Sequence, residues 1–236
     1  MRKARILLAA MSALLMTAAA NAQVMVQKGD FSVGAQFAHL KLDSDNSEIM
    51  LLVNPVSAQG KISQFSPFFE YTYKDDCSFG ARVQYFSGAA VLDNITIDLL
   101  SEGLSFDLSN LNTHMKRIGA SVFHRNYFAL DPRSRVGIIA DESLSFSEGR
   151  IEYDNSKPGM NYSTSGKLNF AFSPGLVFYV MNRVSAMLTI SMANVSYNTV
   201  KCYTDGSESG GRSKFAARFG IDLTGINFGV AFHFKR

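Results

Sequence analysis

The chain has no tryptophan, five prolines and only two cysteines, Cys77 and Cys202, among its 236 residues. Two cysteines can form one bridge at most, so a small disulfide-stapled scaffold is excluded. After the first twenty or so residues, no stretch approaches the ~18 consecutive apolar residues of a transmembrane helix. Charge of one sign is missing as well. The formal excess of +3 arises from Arg2, Lys3 and Arg5; removing those three from 23 basic residues leaves 20 against 20 acidic ones. Nucleic acid is therefore not an expected partner. The four histidines, His39, His114, His124 and His233, are scattered without a metal-ligand spacing, so neither a metal nor a cofactor is expected. The acidic stretch Asp43 to Glu48 lacks the glycine of a calcium loop and reads as a solvated loop.

What is present first is an export signal. Arg2, Lys3 and Arg5 precede an apolar run from Ile6 to Ala20, and Ala20-Asn21-Ala22 forms an A-x-A cleavage site before Gln23. Residues 1–22 are read as a signal peptide, with Ala20 and Ala22 at the cleavage site, and residues 23–236 as one β-barrel domain.

The body of the chain alternates with period 2. In the last segment Ile226, Phe228, Val230, Phe232 and Phe234 alternate with Asn227, Gly229, Ala231 and His233; a segment around Pro174 sets Leu168, Phe170, Leu176 and Phe178 against Lys167, Asn169, Gly175 and Val177. Such alternation is the mark of strands with one apolar face. About eight such segments emerge, and their connections alternate in length. Tight turns fall around Lys74 to Cys77, Asp131 to Arg135 and Met181 to Arg183. Long connections are expected at Asp43 to Gly60, Gly88 to Thr113, Arg150 to Gly166 and Asn198 to Arg212. The expected fold is all-β: an eight-stranded antiparallel up-and-down transmembrane β-barrel, with tight turns at the periplasmic end and long loops outside.

Glycine decides which face looks inward. Gly34, Gly80, Gly119, Gly137, Gly175 and Gly229 all lie on the face opposite the apolar one, together with Gln36, Glu70, Arg82, Arg125, Asp141 and Asn227. The interior of an eight-stranded barrel is just wide enough to be filled by side chains, so glycines there make room for long ones. The apolar face then points outward, which water does not tolerate on that scale and lipid does. Three residues break the pattern. His124 and Asn126 stand where apolar residues are expected, and Glu142 falls on the lipid-facing parity unless a β-bulge near Asp141 turns it inward.

The phrases Phe65-Ser-Pro-Phe-Phe-Glu-Tyr71, Phe123-His-Arg-Asn-Tyr127, Ser173-Pro-Gly-Leu-Val-Phe-Tyr179 and the ending Ile226 to Phe234 resemble the outer membrane protein beta-barrel domain family, small eight-stranded barrels similar to outer-membrane proteins A and X. The resemblance implies a bacterial outer-membrane location, with outer-membrane lipids and lipopolysaccharide as surroundings. It also implies that Phe228, Val230, Phe232 and Phe234 form the terminal aromatic signal for the barrel-assembly machinery, although Lys235 and Arg236 follow where the family ends on the aromatic residue.

Inside the barrel, Glu70, Arg82, Arg125 and Asp141 share the inward face and are expected to pair as an interior polar network, since charges in so narrow a lumen must be paired or hydrated. A narrow gated ion pore through that network is the alternative. The rival enzymatic class, a lipid A deacylase-like hydrolase, would need a Ser and His pair; His124-Arg125-Asn126 lacks the serine, so no catalytic residue is assigned. The expected function is a non-enzymatic outer-membrane barrel presenting extracellular loops for envelope structure, adhesion or binding of a protein or surface ligand. The apolar loop Gly88 to Thr113, with Ile95, Ile97, Leu99 and Phe106, is the candidate contact surface or an extended hairpin.

Overall fold

The computed structural model describes residues 24–42, 58–92, 95–99, 104–108, 111–154 and 161–235. The leader, with Ala20 and Ala22, and most of the connection expected at Asp43 to Gly60 lie outside these residues. In chain order the strands are β1 (Phe31–Leu42), β2 (Ala58–Lys74), β3 (Cys77–Leu92), β4 (Ile95–Leu99), β5 (Leu104–Leu108), β6 (Leu111–Ala129), β7 (Val136–Asp154), β8 (Tyr162–Met181), β9 (Val184–Thr204) and β10 (Ser207–Phe234). Eight of them close in the order β1-β10-β9-β8-β7-β6-β3-β2, all antiparallel, and β4 and β5 form a separate hairpin. Closure removes the unpaired edge that an open sheet would present, which is the condition for a sheet to cross lipid.

Alternation does place the apolar face outward. Twenty-nine large apolar or aromatic side chains are exposed among the described residues, including Phe31, Phe69, Phe146, Phe170 and Phe232. On the opposite parity Ser32, Gln36, Glu70, Arg125, Asp141 and His233 are buried. A surface patch of that size is a lipid contact, since soluble monomers expose apolar patches of at most a few hundred Å². Closed barrels with an apolar exterior are the architecture of outer membranes, and this chain has that architecture.

The seam where the chain closes on itself joins β1 to β10 from Phe31↔Phe234 to Phe37↔Phe228. The Phe31 and Phe234 rings stack across it at 4.5 Å. On its inner side His233 is held by Ser32 Oγ at 2.9 Å and Ser185 Oγ at 2.7 Å, which ties β1, β9 and β10 together. Higher on β10, register shifts interrupt the ladder to β9 between Phe219 and Asn227, and Gly220 adopts a positive φ of 152° that only glycine takes readily.

The strands run further than the hydrophobic pattern indicates. The segment Asn198 to Arg212, expected as a loop, is a ladder from Asn198↔Lys214 to Thr204↔Ser207, with one register shift between Glu208 and Gly210. It closes on Asp205 and Gly206, both at positive φ (50° and 79°), the backbone signature of a tight I′ hairpin turn. Likewise β3 runs to Leu92 and β6 begins at Leu111, and between them β4 and β5 pair, so the connection Gly88 to Thr113 contains the extended hairpin that is one of its two expected forms. The segment Arg150 to Gly166 is strand up to Asp154 and again from Tyr162. The reason is physical: outside the bilayer a strand keeps its backbone hydrogen bonds but has no lipid to face, so its side chains lose the period that reveals it.

Glu142 is not turned inward. The β6–β7 ladder passes through Arg125↔Asp141 and His124↔Glu142 without a register shift, so no bulge intervenes and Glu142 points out of the barrel. Cys77 begins β3 at the tight-turn end, whereas Cys202 lies near the far end of β9, and both thiols are free.

Candidate functional site

The four inward charges meet at one level of the lumen. Arg125 on β6 is central and fully buried, 0% exposed. Its guanidinium donates to Glu70 Oε2 on β2 at 2.8 Å and, by a second edge, to both carboxylate oxygens of Asp141 on β7 at 2.5 and 2.7 Å. Arg82 on β3 donates to the same Asp141 at 3.3 Å. Tyr127 completes the set by donating its hydroxyl to Glu70 Oε1 at 2.6 Å. Ladder register sets up the meeting: Arg125 is the cross-strand partner of Asp141, and Glu70 and Arg82, staggered along β2 and β3, share its inward parity and reach the same pair of groups. Two cations against two anions make the cluster neutral. The Arg–carboxylate fork supplies the bidentate geometry in which such burial is best compensated.

Aromatic and aliphatic side chains, which the reading of the lumen as polar did not include, pack around these charges. Phe123 lies under both Arg82 and Arg125, with guanidinium carbons 4.6 and 5.0 Å from its centroid. Phe68 meets Phe123 edge to face at 6.0 Å. Together with Tyr127, Ile139, Val177 and Met187 they form an apolar filling inside a membrane barrel. The inward glycines serve this filling: a Cβ at Gly34 would stand 2.6 Å from Phe68 Cζ, and one at Gly80 would overlap Phe123. Parity alone places Phe68 and Phe123 inside, so the signal was present; the expectation that a lumen is lined by polar residues obscured it.

The segment Val24 to Asp30 then closes the tight-turn mouth. Met25 and Val26 are buried against the apolar filling, and Asp76 in the β2–β3 turn accepts their backbone N–H groups at 2.7 and 3.2 Å. Burial raises the Asp76 pKa above the usual carboxylate range, against the lowering effect of those two hydrogen bonds. On the other side of the charge cluster the lumen widens into a cavity of about 550 Å³ lined by Arg82, Arg117, Lys167, Lys214 and Arg218 among serines and amides.

His124, Asn126 and Glu142, the residues that break the outward pattern, gather on the outer wall. Tyr73 Oη lies 2.9 Å from His124 Nε2, Glu142 Oε2 3.7 Å from His124 Nδ1, and the Asn126 amide 3.4 Å from the same nitrogen. His124↔Glu142 is five rungs above Ala129↔Gly137, roughly 12 Å along the membrane normal for strands tilted near 45°. The pair thus shields two polar groups that lipid would otherwise meet singly. The partners of His124 are a phenol, a carboxylate and an amide. Phe228, Val230, Phe232 and Phe234 all point outward along β10 beside the closing seam.

No protein-family model and no curated protein matches the chain. Solved structures of small barrels do. A major outer membrane protein from Thermus thermophilus aligns over 87% of this chain and 99% of its own at 11% identity and a TM-score of 0.48. Neisserial surface protein A aligns over 88% and 100% at 19% identity and 0.40. Ail, the attachment invasion locus protein of Yersinia pestis, aligns over 88% and 100% at 13% identity and 0.38. At these values the assignment of class rests on the closed ladder and the apolar exterior themselves.

Proposed function

We propose that this protein is a non-enzymatic integral outer-membrane barrel of the small type similar to outer-membrane proteins A and X. Its sealed wall anchors the long hairpin arms outside the cell for envelope structure, adhesion or binding of a partner. The carrying observation is the Arg125 cluster: Glu70, Arg125, Asp141 and Tyr127 span the lumen above a mouth already occupied by Met25 and Val26. A barrel filled in this way has no aqueous path to conduct through, so its working surface is what projects from it. On this reading the tight turns face the periplasm. The β4–β5 hairpin and the β9–β10 arm project outward, and the outward aromatic ladder Phe228 to Phe234 is presented to the barrel-assembly machinery. Lipopolysaccharide and phospholipid form its immediate surroundings. The leader of residues 1–22 and its cleavage site at Ala20 and Ala22 supply the route of export.

Recordings of the purified protein in planar bilayers separate this reading from the narrow gated pore. The filled lumen leads to silent traces at all voltages, and reproducible single-channel steps would contradict the seal. Deleting residues 93–110, which lie beyond the β3–β6 ladder, and assaying surface attachment tests the outward role, with loss of attachment alongside normal barrel assembly as the expected result.

A further inference from the structure

The tight-turn end of the barrel carries a small pocket on its rim. It encloses about 260 Å³ between the stopper segment, the β6–β7 turn and the end of β8, and its walls include Val24, Arg133, Arg135, Val180, Met181 and Lys235. The Tyr179 N–H donates to the Arg135 carbonyl at 2.7 Å, which lays the turn alongside β8. The turn is also held from within. Asp131 accepts the backbone N–H groups of Arg133, Arg135 and Val136, and Ser134 takes a positive φ of 52°. Arg133 and Arg135 are thus presented from a fixed backbone, and both are exposed.

Three cations, Arg133, Arg135 and Lys235, line this pocket, and among the described residues no carboxylate does. None of the three forms an ion pair among the described residues. The Lys235 ammonium lies over the Tyr179 ring, 5.8 Å from its centroid. The acids of this end are engaged elsewhere: Asp131 within its own turn, Asp30 with the Gln27 N–H, and Asp75 and Asp76 with N–H groups of the stopper. They temper the field of the cations, but none of them lines the pocket. Beside the cations stand Val180 and Met181, each 67% exposed, and Val180 continues the lipid-facing row of Leu176 and Phe178. A cationic wall meeting an apolar one at the membrane's edge matches an amphiphile with a phosphate at its head and chains below. The volume is small for a whole ligand and suits a headgroup whose chains stay on the outer wall.

We propose that this pocket binds the phosphate of one glycerophospholipid, held by Arg133, Arg135 and Lys235, with an acyl chain lying along Val180 and Met181. Arginine suits a phosphodiester because its planar fork donates two hydrogen bonds at once. Val24 forms part of the wall, so the bound lipid also braces the stopper against the β6–β7 turn. That the lipid belongs to the inner leaflet rests on the tight turns facing the periplasm, as in the proposed function; the pocket itself does not.

Native mass spectrometry of the folded protein released from a neutral maltoside detergent, with phosphatidylglycerol as probe, tests the idea. The native protein is expected to retain a single lipid, and Arg133→Gln/Arg135→Gln to bind it at least tenfold more weakly. Lys28→Gln/Lys74→Gln, which removes equal charge beside the β2–β3 turn at the same end, should bind like the native protein. A diacylglycerol with the same chains, lacking the phosphate, should not be retained. Should the first double variant lose its heat-modifiable folded form, Lys235→Gln carries the test with a several-fold loss. Binding in micelles is blind to orientation, so its failure strikes the pocket alone, whereas labelling of intact cells tests the orientation alone. Absence of retained phosphatidylglycerol, equal retention of the diacylglycerol, or equal weakening by the two double variants overturns the proposal.

Discussion

At the scale of single residues, the interior has almost no freedom at a few positions and ample freedom at others. A Cβ at Gly80 would overlap the Phe123 ring and the Phe69 carbonyl, whereas one at Gly166 would meet nothing within 4 Å. Gly80→Val is therefore expected to cost about 1–3 kcal/mol by overpacking. Gly166→Ala should be neutral or slightly stabilising. Urea unfolding in lipid vesicles reads both. Arg125→Met presents a different failure: Glu70 stays buried without a cation and Asp141 keeps only Arg82, at a cost of about 3–5 kcal/mol. Combining it with Glu70→Gln should recover much of that loss, because Arg82 and Asp141 then remain as a matched pair.

Asp131, in the turn between β6 and β7, accepts backbone N–H groups from Arg133, Arg135 and Val136. The hydrogen bond from Val136, followed by that from Arg135, lowers its pKa. A carboxylate depressed in the folded state contributes stability above its unfolded value of about pH 4, and that contribution disappears as pH falls through the folded value. The acid limb of the unfolding profile should accordingly be shallower in Asp131→Asn than in the native protein. An unchanged limb would show that the turn does not depend on the charge. Asp76 acts in the opposite sense, since its raised pKa favours the folded state at low pH, which is why the comparison is made against the single variant.

At the scale of elements, period 2 made the lipid-facing parts of the strands legible. Each has apolar residues on alternate positions and a cross-strand neighbour of the same kind, as in Leu176 between Ile138 and Leu188. Leu176→Arg places a basic residue in that belt, at a cost of up to about 2–4 kcal/mol. Loss of the heat-modifiable form from the outer-membrane fraction is the expected readout; native levels would refute the assigned register. The arms beyond the membrane were not legible, because rungs such as Thr199↔Ser213, Val200↔Arg212 and Lys201↔Gly211 form a ladder without a continuous apolar face. Nor was the role of Val24 to Asp30, whose burial depends on Asp75 and Asp76 some fifty residues away accepting their N–H groups. The charge cluster was legible as a set of inward residues from parity, whereas its partnerships depended on the stagger between strands.

For the whole molecule, the two faces of one sheet carry two different chemistries, and closure makes each of them continuous. The outside is an apolar belt interrupted at Tyr73, His124 and Glu142, where the polar groups satisfy one another. The inside changes along its length, from a stopper of backbone and apolar side chains, through a neutral ion cluster, to a cavity lined by arginine, lysine, serine and amide side chains. The two native cysteines lie near opposite ends of the barrel and so report directly on how it sits in the membrane. The decisive measurement is labelling of intact cells with a polymer-linked maleimide too large to enter porins. It compares a chain whose only thiol is Cys202 with a doubly cysteine-free chain carrying Ser134→Cys in the β6–β7 turn. An outer-membrane barrel with its hairpin arms outside labels at Cys202 in intact cells and at residue 134 only after the envelope is permeabilised. Labelling of residue 134 in intact cells, with Cys202 protected, would contradict it.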